Sequence, residues 1–510
     1  MVPSAFVHLE KVPLTTNGKL DRKALPEPGF GSTEGYVAPS NELEKTLSKI
    51  WTGVLDLPKD KIGVHDNFFN LGGNSITAIK LVANCKSNNI KINIKDIFNH
   101  YTIAKLANFI ANLSNKKAFD NQETQLLIDD IKNNIATKEL KKEHYINSEE
   151  INNILLTGVT GFLGSHMLID LLNCTNANIY CIVRREANIT TPKERLNKIL
   201  TFAGYEHYIN NSRIVILEGD LSKPNLGLSV STIEQLSLII DHIYHCGAQV
   251  HHLHSYKVLR AVNILATVEL LKLSTYKKIK PLHYISTKDT ESSSTSTELP
   301  MFNMGYIQSK WVSEKILESY IQKNYPIYIY RPGNITGHSS TGFCLPEKNH
   351  ALLLLKGFIQ QKIAPDWNKP FEMVPVDKIS RAIVSLSLNS KKLVKNIFNL
   401  ANHETISWAT YISKINKLTT LGIKVIDSEE WRLNILSNID LDNAIYPLKD
   451  IYIASPMDSN YKPTKDQETK EYLEMLQISY PTIEQYDDLL RVYLRYLTKV
   501  SFLKLPIIKD

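Results

Sequence analysis

The stretch Asn153 to Gly164 constrains the chain more than any other. Ile154, Leu155 and Leu156 form a short apolar run with the length of a buried parallel strand. Gly158, Gly161 and Gly164 follow at three-residue spacing, and His166 to Leu172 carries an apolar helical face. Strand, glycine turn and helix in that order suit a dinucleotide pyrophosphate. The glycines permit a tight turn and close backbone approach, and the helix N-terminus offers free N–H groups and a partial positive charge. Thr160, Phe162 and Leu163 fill the turn and are expected along the same ligand. A glycine triplet alone is weak; the flanking strand and helix, and partners further along, give it weight.

At 510 residues the chain holds more than one domain, and 43% hydrophobic residues suffice for real cores. A net charge of +7 suits a protein that binds phosphates without indicating a nucleic-acid binder. Five scattered cysteines without CxxC spacing imply a reducing, cytoplasmic setting and no structural zinc. No apolar run is long enough for a bilayer and no signal-peptide order opens the sequence, so no membrane association is expected.

From Ile151 strands and helices alternate as in a doubly wound α/β sheet. The second strand, Ile179–Val183, ends in Arg184 and Arg185. An acid there would bond the ribose of NAD, whereas arginine fits the 2′-phosphate of NADP. Arg184 holds that position, with Arg195 near enough to join it; Arg185 reads as exposed. Ile214–Leu217 is a third strand, followed by Asp220 and Leu221, expected at the adenine. A fourth strand, Ile239–Tyr244, leads to Cys246, Gly247 and Ala248, small enough to pass beneath the nicotinamide ribose. His245, His251, His252 and His254 match no standard metal spacing, so no metal is expected.

The strand Leu282–Ile285 ends in Ser286 and Thr287, and Gly305-Tyr306-Ile-Gln-Ser-Lys310 follows. Tyr306 and Lys310, at i and i+4, share one helix face. Lys310 is expected to lower the phenol pKa and to hold the ribose, with the Thr287 hydroxyl completing a proton-donating site. The polar run Lys288–Glu298 reads as a surface loop over it.

The N-terminal region has a different character. Val12 to Leu25, with Asn17-Gly18 presenting Lys19 at a loop tip, resembles the last motif of nonribosomal peptide synthetase adenylation domains. In that family the lysine contacts the carboxylate and adenylate. The rest of such a domain is absent, so residues 1–30 read as a remnant. Within residues 40–113, Glu42–Leu55 has helical apolar spacing and Thr102–Leu113 reads as a last helix. Leu71-Gly-Gly-Asn-Ser-Ile76 resembles the attachment site of peptidyl carrier proteins, where Ser75 would accept 4′-phosphopantetheine from a phosphopantetheinyl transferase. Asn74 stands where the family often has Asp or His. Residues 114–150 read as a linker whose Leu126, Leu127, Ile131 and Ile135 line one face of a docking helix.

Together these motifs resemble the terminal thioester reductase domains of nonribosomal peptide synthetases and the related aminoadipate and carboxylic acid reductases, which are extended short-chain dehydrogenase/reductases. Arg331-Pro-Gly333 and Val374-Pro-Val-Asp377 match further landmarks. The resemblance implies a four-helix carrier followed, over 151–510, by a Rossmann-type doubly wound parallel sheet (about 151–400) and a smaller substrate lobe (401–510). It also implies NADPH-dependent reductive release of a carrier-bound acyl or peptidyl thioester, supplied by upstream adenylation and condensation modules, with Thr287, Tyr306 and Lys310 catalytic. The other readings are non-redox release or cyclisation, a docking module, or a free-standing extended dehydrogenase with another substrate.

Overall fold

A computed structural model describes residues 36–505 and 508, except 59–61, 74, 89, 91, 112–115, 141–149, 187–190, 252, 294–303, 368–369, 391–392 and 455–465. The adenylation-type remnant with Lys19, together with Asn74 and His252, lies outside the described residues. The chain divides into two compact units, 1–121 and 122–510.

The first unit is helical: α1 (Glu42–Leu55), α2 (Ser75–Ser87), α3 (Ile94–Asn99) and α4 (Ile103–Ala111). Asn41 caps α1 by accepting the Glu44 N–H. Leu47, Trp51, Phe68, Leu81, Ile97 and Leu106 form its core, with Trp51 and Phe68 edge-to-face at 4.9 Å between ring centroids. The turn before Ser75 folds back on that core. Gly72 has φ +95°, and a Cβ on Gly73 would lie 2.3 Å from the Phe68 carbonyl oxygen. The glycines therefore deliver Ser75 to the first position of α2.

A helix, α5 (Lys116–Lys132), leads into the second unit. Leu127 joins the core of that unit. The nearly buried Asp130 accepts from Tyr256 Oη at 2.7 Å and from Arg260 Nε and Nη2 at 2.7 and 2.5 Å. Further along, the Leu140 N–H donates to the Lys323 carbonyl.

The second unit alternates β1 (Asn153–Thr157), α6 (Phe162–Cys174), β2 (Asn178–Val183), α7 (Pro192–Phe202), β3 (Ile214–Glu218), α8 (Val230–Ile239), β4 (His242–His245), α9 (Tyr256–Arg260), α10 (Ala266–Thr275), β5 (Leu282–Ile285), α11 (Gly305–Ile321), β6 (Ile327–Pro332), α12 (His350–Gln361), α13 (Val376–Leu388) and β7 (Ile397–Leu400). The seven strands are parallel, in the order β7-β6-β5-β4-β1-β2-β3. Strand alternation sends Ile154 and Leu156 into a core with α6, α7 and α13, and Leu155 into the opposite core with α10 and α11. The order reverses between β1 and β4, the switch point at which open α/β sheets bind ligands.

The fourth strand begins at His242 rather than Ile239, which ends α8. A continuous apolar run does not reveal where a buried helix stops and a buried strand starts. Beyond β6 a lobe packs around Phe358, Trp367, Trp408 and Trp431, drawing on α12, the helix Trp408–Leu418 and the final helix Tyr486–Lys499. No helix among the described residues is long and apolar enough to cross a membrane.

Candidate active site

At the carboxyl end of β1 the backbone closes on itself. Gly158 has φ +77°, and a Cβ there would lie 2.6 Å from the Gly247 nitrogen. A Cβ on Gly164 would lie 2.1 Å from the Gly158 oxygen. Side chains are thus excluded from this crossing, which brings the β1 turn, the first turn of α6 and the end of β4 together. Gly161 heads α6 without any side-chain cap, so the helix N-terminus keeps its N–H groups for a ligand. Thr160, Phe162 and Leu163 lie in this same turn.

Arg184 is exposed past the end of β2. Arg195, from α7, donates to the Arg184 carbonyl and lies 3.5 Å from Glu186. The predicted pair is therefore brought together. Arg185 turns away into a bidentate pair with Glu218 at 2.8 and 2.7 Å. Asp220 follows β3. Burial alone would raise its pKa, but bonds from Ser222 and the nearby Arg184 and Lys223 hold it below the usual range. Leu221 reaches Gly247, where a Cβ would meet its Cδ1 at 2.5 Å.

His245 belongs to the core. The Gly247 N–H donates to Thr157 Oγ1 at 3.0 Å, Thr157 Oγ1 lies 2.8 Å from His245 Nδ1, and His245 Nε2 lies 3.1 Å from Thr267 Oγ1. Thr267 donates to the Asn263 carbonyl at 2.7 Å. This chain of bonds assigns the Nε2–H tautomer. Burial, then Lys310, lowers the His245 pKa to about 3, so the ring is neutral.

Tyr306 and Lys310 lie on α11, which starts at a forced close approach: a Cβ on Gly305 would lie 2.4 Å from Ser255 C and Tyr256 N. Tyr306 is half-buried and Lys310 is 3% exposed. Lys310 Nζ donates to the Ile285 carbonyl at 2.6 Å and sits 4.5 Å over the Tyr284 ring. Burial lowers its pKa to about 8, against the opposing pull of Cys246 and Glu314. Tyr306 departs from the expectation that Lys310 would make it more acidic. Burial, then Asp289 and Cys246, raises its pKa, so the phenol stays protonated at neutral pH. Thr287 is half-buried, with Oγ1 3.5 Å from Asp289 Oδ2. Beside it Ser286 Oγ is buried without a hydrogen-bond partner among the described residues.

Several supporting contacts are not legible in the sequence. Asn263, in a π-helical turn Ala261–Leu265, accepts from the Gln249 N–H at 2.8 Å and donates to Ser309 Oγ at 2.9 Å. It thereby ties the segment after β4 to α11. Glu314, 1% exposed, takes Thr290 Oγ1 at 2.8 Å and Arg331 Nη2 at 2.5 Å, joining α11 to β6. The one sequence signal for this pair is a carboxylate one turn beyond Lys310 in an otherwise buried stretch.

The glycine crossing, the uncapped helix and the exposed arginine fit a nicotinamide dinucleotide. The fold and site thus define a short-chain dehydrogenase/reductase, preceded in the chain by a carrier-type helical unit. Residues 156–383 match the NAD-binding family described as male sterility protein, and residues 45–110 the phosphopantetheine attachment site family. A linear gramicidin synthase polypeptide of Brevibacillus parabrevis is 34% identical over 451 residues, 84% of this chain and 9% of that protein. The terminal R domain from the myxalamid PKS-NRPS biosynthetic pathway superposes with TM-score 0.67 at 30% identity, covering 75% of this chain and 99% of that one. An archaeal thiolation-reductase di-domain gives 0.65 over 92% of this chain and all of that one, at 23% identity, and so attests the fold. The chain belongs to the terminal reductase domain family of nonribosomal peptide synthetases, with its carrier domain. It spans 9% and 37% of the length of two curated relatives, the gramicidin synthase and the large L-2-aminoadipate reductase polypeptide of Candida glabrata.

Proposed function

We infer that this chain releases a carrier-bound acyl or peptidyl thioester by NADPH-dependent reduction to an aldehyde, and by a second round to an alcohol. The observation that carries this reading is the buried Lys310 ammonium, held at the Ile285 carbonyl one helical turn from Tyr306. It lies at the same carboxyl end of the parallel strands as the glycine crossing. Ser75 carries the acyl chain on 4′-phosphopantetheine installed by a phosphopantetheinyl transferase. Upstream adenylation and condensation modules load it, in the cytoplasm.

NADPH, when bound, supplies the hydride for the thioester carbonyl. Gly158 to Gly164 and the α6 N-terminus bind the pyrophosphate, Arg184 and Arg195 the 2′-phosphate, Asp220 and Leu221 the adenine. Ala248 leaves room for the nicotinamide ribose, which Lys310 holds. Tyr306, protonated because its pKa is raised, donates to the carbonyl oxygen as negative charge develops there; Thr287 is the second donor. Collapse of the hemithioacetal breaks the C–S bond and returns the thiol to the carrier arm.

NADPH oxidation by the full chain with acyl-pantetheine thioesters, with products identified by mass spectrometry, tests this. Tyr306→Phe keeps the ring and should retain NADPH binding while turnover falls by roughly two to four orders of magnitude. Wild-type turnover in that variant would remove Tyr306 from the mechanism. Release of a cyclised product without NADPH consumption would favour non-redox chemistry.

A further inference from the structure

The turn Lys288–Ser293 follows Thr287 directly. Although polar in sequence, it is pinned to three parts of the fold. The Lys288 ammonium pairs with the carboxylate of Glu372, 2% exposed, which also accepts the Asn402 N–H at 2.7 Å. Glu291 accepts from Asn399 Nδ2, on β7, at 2.8 Å. Between these two, Thr290 is fully buried. Its Oγ1 stands 2.8 Å from Glu314 Oε1 and 2.7 Å from the Thr287 carbonyl oxygen, and its N–H donates to that same carbonyl at 3.3 Å. The one hydroxyl proton is shared by both acceptors, which ties the Thr287 backbone to Glu314.

The tie joins two elements that carry the reacting groups. Tyr306, Lys310 and Glu314 recur at four-residue intervals on α11 and share one face. Thr287 stands on the other element, and its hydroxyl has only long contacts among the described residues. It accepts the Asp289 N–H at 3.4 Å and lies 3.5 Å from Asp289 Oδ2. Its place is therefore set by its backbone, which Thr290 holds. Glu314 is fixed in turn by Arg331, whose Nε lies 3.1 Å from both carboxylate oxygens and whose Nη2 lies 2.5 Å from Oε2. An apolar pair of like volume would hold α11 against β6 as well as this buried ion pair does. It would not grip Thr290.

We propose that Glu314 and Thr290 are positioning residues of the reductase, acting through the Thr287 backbone to hold the Thr287 hydroxyl in place. The proposal rests on the reductive reading above. The test is a double-mutant cycle on the full chain, with kcat and the KM for NADPH measured on the acyl-pantetheine thioester that is turned over fastest. Thr290→Val keeps the shape and removes the hydroxyl. It should lower kcat roughly 10- to 100-fold, the range a small misplacement produces, with the KM for NADPH within about twofold. Thr290→Ser returns the hydroxyl and should restore kcat. Glu314→Met combined with Arg331→Met leaves no buried charge unpaired and should lose as much as Thr290→Val, with NADPH affinity by fluorescence reporting that it is folded. In a Thr287→Ala background neither change should lower kcat further, because both act through that hydroxyl. Wild-type kcat in Thr290→Val, failure of Thr290→Ser to restore it, or a full further loss in the Thr287→Ala background overturns the proposal. Absence of NADPH oxidation by the unaltered chain with every thioester overturns the reductive reading itself, a result separable from turnover that ignores Thr290.

Discussion

At the β1–α6 crossing, Gly158, Gly164 and Gly247 keep side chains out so that backbone meets backbone. In the lobe beyond β6, Phe358, Trp367, Trp408, Trp431 and Tyr452 fill a common centre, with Trp367 stacked on Tyr452 at 5.2 Å and edge-on to Trp408 and Trp431 at 5.5 Å. Three of the chain's five tryptophans are spent there. The crossing is made by omission, from the short turn Gly158 to Gly164 and from Gly247 at the end of β4. The lobe is made by bulk, from residues scattered over more than seventy positions. A site that must let phosphate approach the backbone has little freedom in sequence, whereas a core needs volume and tolerates many ways of supplying it.

The contrast can be broken most forcefully at Phe358. Phe358→Ala should cost about 3–5 kcal/mol, read as a lower denaturant midpoint, because the buried ring leaves a cavity among rigid tryptophans. NADPH affinity of the folded protein should hold within about twofold; a large loss of affinity would mean that the lobe shapes the crossing after all. Gly164→Ala is the opposite probe. Its methyl would strike the Gly158 oxygen, and displacing that turn should weaken NADPH binding by about 100-fold (about 2.7 kcal/mol), measured by fluorescence titration. Unchanged affinity would show that the crossing relaxes like an ordinary core.

A third probe uses pH. The Lys310 pKa in the folded chain is about 8, below its ordinary 10.5, so from about pH 8 to 10.5 the unfolded chain binds more protons. Burial of this cation therefore counts against folding below pH 8, and the penalty fades as pH rises through that window. The ribose contact has the opposite need, since it uses the cation. KM for NADPH should rise above about pH 8, approaching tenfold per unit, and a flat profile to pH 9.5 would remove Lys310 from cofactor binding. The smallest effect is expected at exposed Arg184. Arg184→Glu should weaken NADPH relative to NADH by roughly fivefold, about 1 kcal/mol, since solvent screens the site. Equal use of both cofactors by the unaltered protein would take the 2′-phosphate away from Arg184.

What the sequence disclosed follows the same division. The glycine turn, the Arg184 strand end, the Tyr306–Lys310 spacing and the Ser75 turn are each written within a dozen residues, and local periodicity or turn chemistry exposes them. Arg195 can be named as a neighbour of Arg184 because it lies only 11 positions further on, in the first turn of the next helix. The clamps that hold those groups are not legible in this way. Glu314 with Arg331, Asn263 with Ser309 and Lys288 with Glu372 are tertiary pairs whose members lie on different elements. The direction of the Tyr306 shift runs against the sequence-based expectation for the same reason: an i, i+4 lysine is visible in sequence, but the burial and the Asp289 carboxylate that outweigh it are not.

Asp130 bears on where this reductase can be cut. It lies upstream of the residues matched by the NAD-binding family, which start at 156, yet it satisfies Tyr256 and Arg260 at the start of the segment packed against Gly305. A fragment begun at Ile151 would leave a phenol and a guanidinium without their acceptor, uncover the apolar surface under Leu127, and loosen the support on which the first turn of α11 rests. For anyone grafting this reductase onto a foreign carrier, the transferable part begins no later than residue 122, and the seam belongs on the carrier side of α5 rather than at the first strand.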